Sequence, residues 1–330
     1  MKIIGLAQKE SGCGYHRIQL PLVHMESGER IVCDIPTAEI IERGWDVLTF
    51  NRICLFDEIW PNVKEATGVK VVMDMDDYWE LPPSHPLYIT YKTLSKRIIS
   101  NIEHADLVTV TTEALAEKVR PYNANVIILP NAIPYGLEQF TADRVESDMV
   151  RVFWAGGSTH ERDLEIVRGP IKRLTQYQNV RMVIGGYTES DTWRRMFSSF
   201  TSGGELPYMK IEGLPPSEYM SMYEHADIML VPLEESRWHS CKSNLKLLEA
   251  AAKKIPVICS RVPPYSVDED APVLWVEKQS DWYKKMKYLI NDKEARENYG
   301  QRLFEWANRK YNFAAINRQR QSAFADLIGA

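Results

Sequence analysis

Three stretches of the chain combine glycine, hydroxyl and cationic residues in the way an anion-binding turn requires. In Ser11-Gly12-Cys13-Gly14-Tyr15-His16-Arg17, just past the first apolar run, bare amides and the start of an expected helix favour a phosphate. Arg17 reads there either as a phosphate clamp or as part of a solvated helix face. A dinucleotide fingerprint needs a third glycine where Arg17 stands, although Asp34 lies at about the right distance for a ribose hydroxyl. In Trp154-Ala155-Gly156-Gly157-Ser158-Thr159-His160-Glu161, two glycines after an apolar run offer a backbone concavity suited to an anion. Ser158 and Glu161 also fit the S-x-x-E capping box, a structural reason for both, and His160 reads as a ligand contact or as a first-turn surface residue. In Cys241-Lys242-Ser243-Asn244-Leu245-Lys246-Leu247-Leu248-Glu249 a helix is expected to begin near Ser243, and its amino end beside Lys242 suits a diphosphate. Lys246 and Glu249 share a face of that helix, which fits a salt bridge as well as a ligand.

A second set of residues is acidic and aromatic. Asp74, Asp76 and Asp77 end an apolar run and lead into Trp79 and His85. Carboxylates so placed serve a divalent cation, sugar hydroxyls or plain capping. Arg52, beside Asn51 at the end of the preceding run, is another candidate contact. Trp79, Trp193-Arg194-Arg195 and Arg237-Trp238 set rings beside cations, a pairing able to stack a base or a sugar, while most of the nine tryptophans are expected to serve packing.

Short apolar runs alternating with amphipathic stretches must position these groups, and that alternation is the βαβ signature. Strands are expected over 2–7, 30–34, 46–50, 69–73, 107–111 and 126–129, with helices over 16–26, 37–43, 55–67, 88–103 and 113–119. After a polar, aperiodic stretch the alternation resumes with strands at 150–155, 181–184, 209–212, 227–231, 257–259 and 273–276 and helices at 161–177, 216–224 and 244–253. The tail over 281–328 reads as largely helical. The tetrapeptide Glu103-His104-Ala105-Asp106 recurs as Glu224-His225-Ala226-Asp227, each ahead of an apolar run. The expected fold is α/β, with two Rossmann-like, doubly wound domains facing a cleft: an N-terminal domain over 1–138, a linker over 139–148, a C-terminal domain over 149–312 and a last helix over 313–330. Open sheets of this kind bind ligands beyond the carboxyl ends of their strands.

Size and composition agree with this division. The chain's 330 residues exceed one ordinary core, which stops growing near ~250 residues. A hydrophobic share of 45% with 26% charged residues argues against disorder, collagen-like and coiled-coil readings. No apolar run approaches the ~18 residues of a membrane span, and no signal peptide is expected. Five scattered cysteines without a CxxC pair indicate reduced thiols rather than a disulfide framework or zinc ribbon, and a cytoplasmic location. A net charge of −5 gives no global pull toward polyanions.

Pro130-Asn131, the Trp154-Ala155-Gly156-Gly157 loop and the segment from Lys242-Ser243-Asn244-Leu245 through Glu249-Ala250 to Pro256-Val257-Ile258 together resemble GT-B glycosyltransferases of the retaining family 4 type, as found in bacteria and phages. The resemblance implies sugar transfer from a UDP- or GDP-sugar with retention, by front-face substitution in which the leaving phosphate helps deprotonate the acceptor, with no obligatory metal. In that family a glutamate pair spaced E-x7-E flanks the donor. Glu249 matches the second, ribose-binding position, whereas the first falls on Cys241, so that backbone over 242–245, or Glu234 or Glu235, must stand in. The implied donor contacts are Gly14, Gly156, Gly157, His160, Ser243, Asn244, Leu245 and Glu249. Lys242, Lys246 and Arg17 supply cations for the diphosphate, Asp76 and Asp77 join them at the reacting centre, and Arg52, Asp77, Trp79 and His85 line the acceptor side. The last helix is expected to cross back to the first domain. Family acceptors include glycans, lipids, proteins and, in phages, hydroxymethylated DNA bases, and a phage-encoded enzyme would act in the host cytoplasm. Two rival readings remain: an NAD-dependent oxidoreductase or epimerase built on Gly12, Gly14 and Asp34, and a non-catalytic sugar-nucleotide binding protein, which Cys241 makes thinkable.

Overall fold

Runs rich in Val, Ile and Leu form strands buried on both faces, and here they build two separate parallel sheets. A computed structural model describes residues 1–8, 10–55, 57 and 59–329. Two compact units result. The first comprises residues 1–132, 241–243 and 313–330, the second residues 133–240 and 244–312.

In the first unit β1 (Lys2–Leu6), β2 (Glu29–Cys33), β3 (Val47–Asn51), β4 (Lys70–Met75), β5 (Leu107–Val110) and β6 (Val126–Ile128) lie in the order β2-β1-β3-β4-β5-β6. Every pairing is parallel, with Asn51 opposite Asp74 and Asp74 opposite Thr109. The helix Phe313–Ile328 belongs to this unit. Its Phe324 is buried against Ile3, Ile18, Leu22 and Val47, a contact worth roughly 1.5–3 kcal/mol for a side chain of that size, and its Asn317 Nδ2 donates to the Pro21 carbonyl at 2.9 Å.

The second unit holds β7 (Val150–Ala155), β8 (Val180–Tyr187), β9 (Tyr208–Glu212), β10 (Ile228–Val231), β11 (Val257–Ser260) and β12 (Leu274–Val276), in the order β12-β11-β10-β7-β8-β9 and again all parallel. Helices Glu161–Lys172, Asp191–Thr201 and Gln279–Asn291 cover one face through Leu164, Val167, Trp193, Met196, Phe200, Trp282 and Met286.

The repeated tetrapeptide has a shared structural cause. Asp106 exchanges bonds with Val71 of β4: its backbone N–H donates to the Val71 carbonyl at 2.9 Å, and its carboxylate accepts the Val71 N–H at 2.8 Å. Asp227 does the same with Arg151 of β7, at 2.9 Å in both directions. Each aspartate therefore ties the start of one strand to its neighbour.

Several expectations shift. The first helical run starts at Gly12 rather than at residue 16, because the Ser11 side chain caps it, and it contains a π-helical turn, Tyr15–Gln19. The helix expected over 55–67 is seen as Trp60–Thr67, with Pro61 in its first turn, and positions 56 and 58 lie outside the described residues. The helix Asp191–Thr201 was not expected, since its stripe of Trp193, Met196 and Phe200 sits among serines and arginines; Ser190 caps its start. The helix expected over 216–224 is a 3-10 turn, Tyr219–His225. The units divide at residues 132 and 133 rather than at 138, because Gln139 anchors the following segment to the second unit: its Nε2 donates to the Pro216 carbonyl, and its Oε1 accepts from Met220 N–H, both at 2.9 Å.

Candidate functional site

The second unit gathers its polar residues where β7 and β10 end. Gly156 follows β7 and packs under Trp154 and His160, so closely that a Cβ there would lie 2.8 Å from the Trp154 ring. Residues Ser158–His160 form a 3-10 turn before the helix Glu161–Lys172. This overturns the expected capping box: the helix begins after Ser158, and the Glu161 carboxylate is taken by Arg195. His160 Nδ1 meets the Asp163 carboxylate at 2.6 Å. Beyond β10, Glu234 N–H donates to the other Asp163 oxygen at 2.8 Å. Glu234 is half-buried, with no hydrogen bond to its carboxylate among the described residues, and Glu235 is exposed.

The helix Leu245–Ala252 starts one residue after the expected 244, with Asn244 at its cap. Asn244 Nδ2 donates to Asp268 at 2.6 Å. From the first two turns Lys246 reaches Glu249 at 3.5 Å and donates to the Tyr219 hydroxyl at 3.0 Å, while the Tyr223 hydroxyl donates to Glu249. Burial opposes the charge on Lys246, but Glu249 and Tyr219 together more than offset it and the amine's pKa rises. A pocket lined by Trp154, His160, Pro232, Leu233, Lys246 and Tyr265 lies at this spot, with Gly156 packed against His160 and Glu249 paired with Lys246.

The first unit treats its expected site residues differently. Arg17 is buried, and its guanidinium grips Asp74 with two donors at 2.9 and 2.8 Å and donates to Asn131 at 3.1 Å. Burial pulls its pKa down, Asp74 more than restores it, and the charge is spent inside the unit instead of clamping a phosphate. Gly14 N–H donates to Ser11 Oγ at 3.0 Å, so this amide too is occupied. Ser243 Oγ accepts from Asn131 Nδ2 at 2.7 Å. Asp76 pairs with Arg52 at 3.4 Å and Asp77 with Lys242 at 3.1 Å. Trp79 is buried among Tyr78 and Tyr122, which rules it out as a stacking platform. His85 Nδ1 accepts from Leu87 N–H at 3.1 Å, just ahead of the helix Tyr88–His104. Trp193 and Trp238 are buried as well, and Arg194 and Arg195 pair with Glu189 and Glu161. Cys241 is fully buried, its thiol turned to the Ala114 carbonyl.

Asp163 is the residue of this candidate site that spacing did not reveal, because its partners His160 and Glu234 come from segments distant from each other in sequence. Its one sequence signal was its place three residues after His160 on the same helix turn.

Residues 165–320 match the family model described as glycosyl transferase-like. Over its full length the chain superposes on sucrose-phosphate synthase from Thermosynechococcus elongatus with a TM-score of 0.70 at 13% identity, covering 99% of that chain. The chain has the GT-B fold, and its residues 165–320 are similar to a glycosyl transferase-like family. A second GT-B structure, Anabaena HepE in complex with UDP, aligns over 99% of this chain and 100% of its own with a TM-score of 0.66 and 12% identity. Among sequence relatives, a D-inositol 3-phosphate glycosyltransferase of Corynebacterium glutamicum (strain R) is 31% identical over 160 residues, which make up 46% of this chain and only 36% of the relative. A namesake from Corynebacterium efficiens is 24% identical over 300 residues, 78% of this chain and 68% of the relative. The GT-B assignment accounts for both parallel sheets, and no helix among the described residues is long and apolar enough to cross a membrane.

Proposed function

We propose that this protein transfers a hexosyl group from a nucleotide-diphosphate sugar to an acceptor hydroxyl, with retention, and that the second unit holds the donor. The observation that carries this reading is the pocket at the ends of β7 and β10, where Lys246, beside Glu249, and His160 stand together. Departure of a diphosphate builds negative charge, so the reaction needs a fixed cation and oriented amides rather than a strong nucleophile. Lys246, the amino end of the helix Leu245–Ala252 and the Gly156-Gly157 turn supply these, and Glu249 accepts from the ribose hydroxyls. Asn244 and Leu245 act through their backbone at that helix start. Glu234 is the carboxylate best placed to meet the sugar in place of Cys241. UDP is the favoured nucleotide: HepE was solved with UDP, and the Escherichia coli trehalose-6-phosphate protein, of TM-score 0.60 to this chain, was solved with UDP-2-fluoro glucose. The five cysteines form no disulfide, which supports action in the cytoplasm.

Release of UDP from UDP-glucose tests the reading. Glu249→Ala and Lys246→Ala are each expected to lower turnover at least ~100-fold, the loss typical of one charge-stabilising donor. Wild-type turnover in both variants overturns the site. A second reading, a sugar-nucleotide sensor, is favoured by Cys241 where the family has its first glutamate; any sustained UDP release by the wild type removes it.

A further inference from the structure

A second pocket, which the donor reading leaves unused, opens in the first unit. It has a cavity volume of about 120 Å³ and opens to solvent, and the polar side chains that line it include Gln8, Ser11, Asp34, Asn51, Arg52 and Tyr91. These residues follow β1, β2 and β3 or face them from the helix Tyr88–His104. Because β1 lies between β2 and β3, the chain order reverses at this point, the place where open α/β sheets lodge ligands.

The lining has an unusual charge economy. Arg52 sits at φ 56°, a left-handed conformation costly for a side chain with a Cβ and concentrated at functional sites. Its guanidinium is the one cation among the described lining residues, and it is already engaged. It pairs with Asp76 at 3.4 Å and donates to Asn51 Oδ1 and the Tyr91 hydroxyl, both at 3.1 Å, and to Cys13 Sγ at 3.4 Å. Asp34, by contrast, has no hydrogen bond or ion pair among the described residues. A phosphate here would face that carboxylate, and like charges brought together repel. A hydroxyl can donate to the same carboxylate, which accepts at up to about four lone-pair sites.

We propose that this pocket binds an uncharged polyol whose hydroxyls donate to Asp34, while Arg52, neutralised by Asp76, shapes the wall. On the transfer reading above, on which this rests for its role, the polyol is the sugar acceptor. That acceptor differs in charge from the phosphorylated inositol in the names of the sequence relatives.

Thermal shift of the full chain tests the proposal, with glucose, myo-inositol and glucose 6-phosphate as probes and UDP measured in parallel. Glucose or myo-inositol is expected to raise the Tm, glucose 6-phosphate to bind at least roughly tenfold more weakly, and Asp34→Asn to weaken polyol binding roughly tenfold with the UDP shift kept. The kept UDP shift shows that the variant is folded. Tighter binding of glucose 6-phosphate, no response to either polyol, or unchanged polyol binding in Asp34→Asn overturns the proposal. A missing UDP shift in the wild type counts against the donor reading instead and leaves the polyol result standing.

Discussion

Asp163 joins two loops through its two carboxylate oxygens, one receiving His160 Nδ1 at 2.6 Å and the other Glu234 N–H at 2.8 Å. The carboxylate is buried and can only accept, so His160 must carry a proton on Nδ1, which leaves Nε2 as the ring's variable atom. Asp163→Asn keeps an oxygen for Glu234 but can turn an NH2 toward His160, which moves the ring proton to Nε2. Turnover is expected to fall roughly tenfold or more with the fold intact, and nitrogen NMR of the ring should report the changed tautomer. An unchanged tautomer in an inactive variant would assign Asp163 to loop packing alone.

Inside the first unit, Asp74 accepts from Arg17, from Thr109 Oγ1 at 2.5 Å and from Asn51 Nδ2 at 3.0 Å, all out of solvent or nearly so. Asp74→Ala strands a buried guanidinium, and we expect it to lower unfolding stability by about 3–5 kcal/mol. The double variant Arg17→Met/Asp74→Leu should lose less than the single one. Urea denaturation of the three proteins measures both numbers, and equal losses would show that the charge pair itself is not the cause.

Gly186, at φ +85°, lies where a Cβ would stand 2.6 Å from the Gly156 carbonyl oxygen. Gly186→Ala therefore both strains its own backbone and pushes the Gly156 turn. The expected result is a stability loss of about 1–3 kcal/mol with a weakened UDP thermal shift. A destabilised variant that binds UDP as the wild type does would detach the Gly156 turn from the donor site.

Alkaline pH should unfold the protein sooner than its net charge implies. Burial raises the pKa of Tyr223 and Tyr265 well above the ordinary 10.0, with Glu249 adding to the effect at Tyr223 through a direct hydrogen bond. Burial alone does the same to Cys259 above its ordinary 9.0. The unfolded chain loses these protons first, so the stability they contribute is complete below pH 9 and drains as pH climbs past 9 to 10. Calorimetry from pH 7 to 11 should show the Tm falling on that limb. Tyr265→Phe should flatten the fall, and an identical limb in that variant would assign the loss to other groups.

Much of the architecture was legible because it rests on short-range pattern. Continuous apolar runs specify buried parallel strands whatever their partners, so twelve strands were found within a few residues of their ends. The lysine and glutamate spaced one helical turn apart, and the glycines after β7, were legible for the same reason: helix periodicity and a strand end dictate where such residues point. The helix Asp191–Thr201 escaped, since its apolar stripe is narrow and only burial against Trp154 and Tyr187 gives it meaning.

What the tertiary structure alone decided is how each charge is spent. Residue types told that Arg17, Gly14, Trp79 and Asp34 could meet a ligand, but whether a donor or acceptor is free depends on partners from remote strands. Arg17 is consumed by Asp74, 57 residues away, and the Gly14 amide by a cap, while Asp34 has no hydrogen bond or ion pair among the described residues. Hydrogen bonds and ion pairs act over a few ångströms in space and carry no signature along the chain. Only folding brings Asp163 between His160 and Glu234, or sets an engaged arginine beside an unengaged carboxylate.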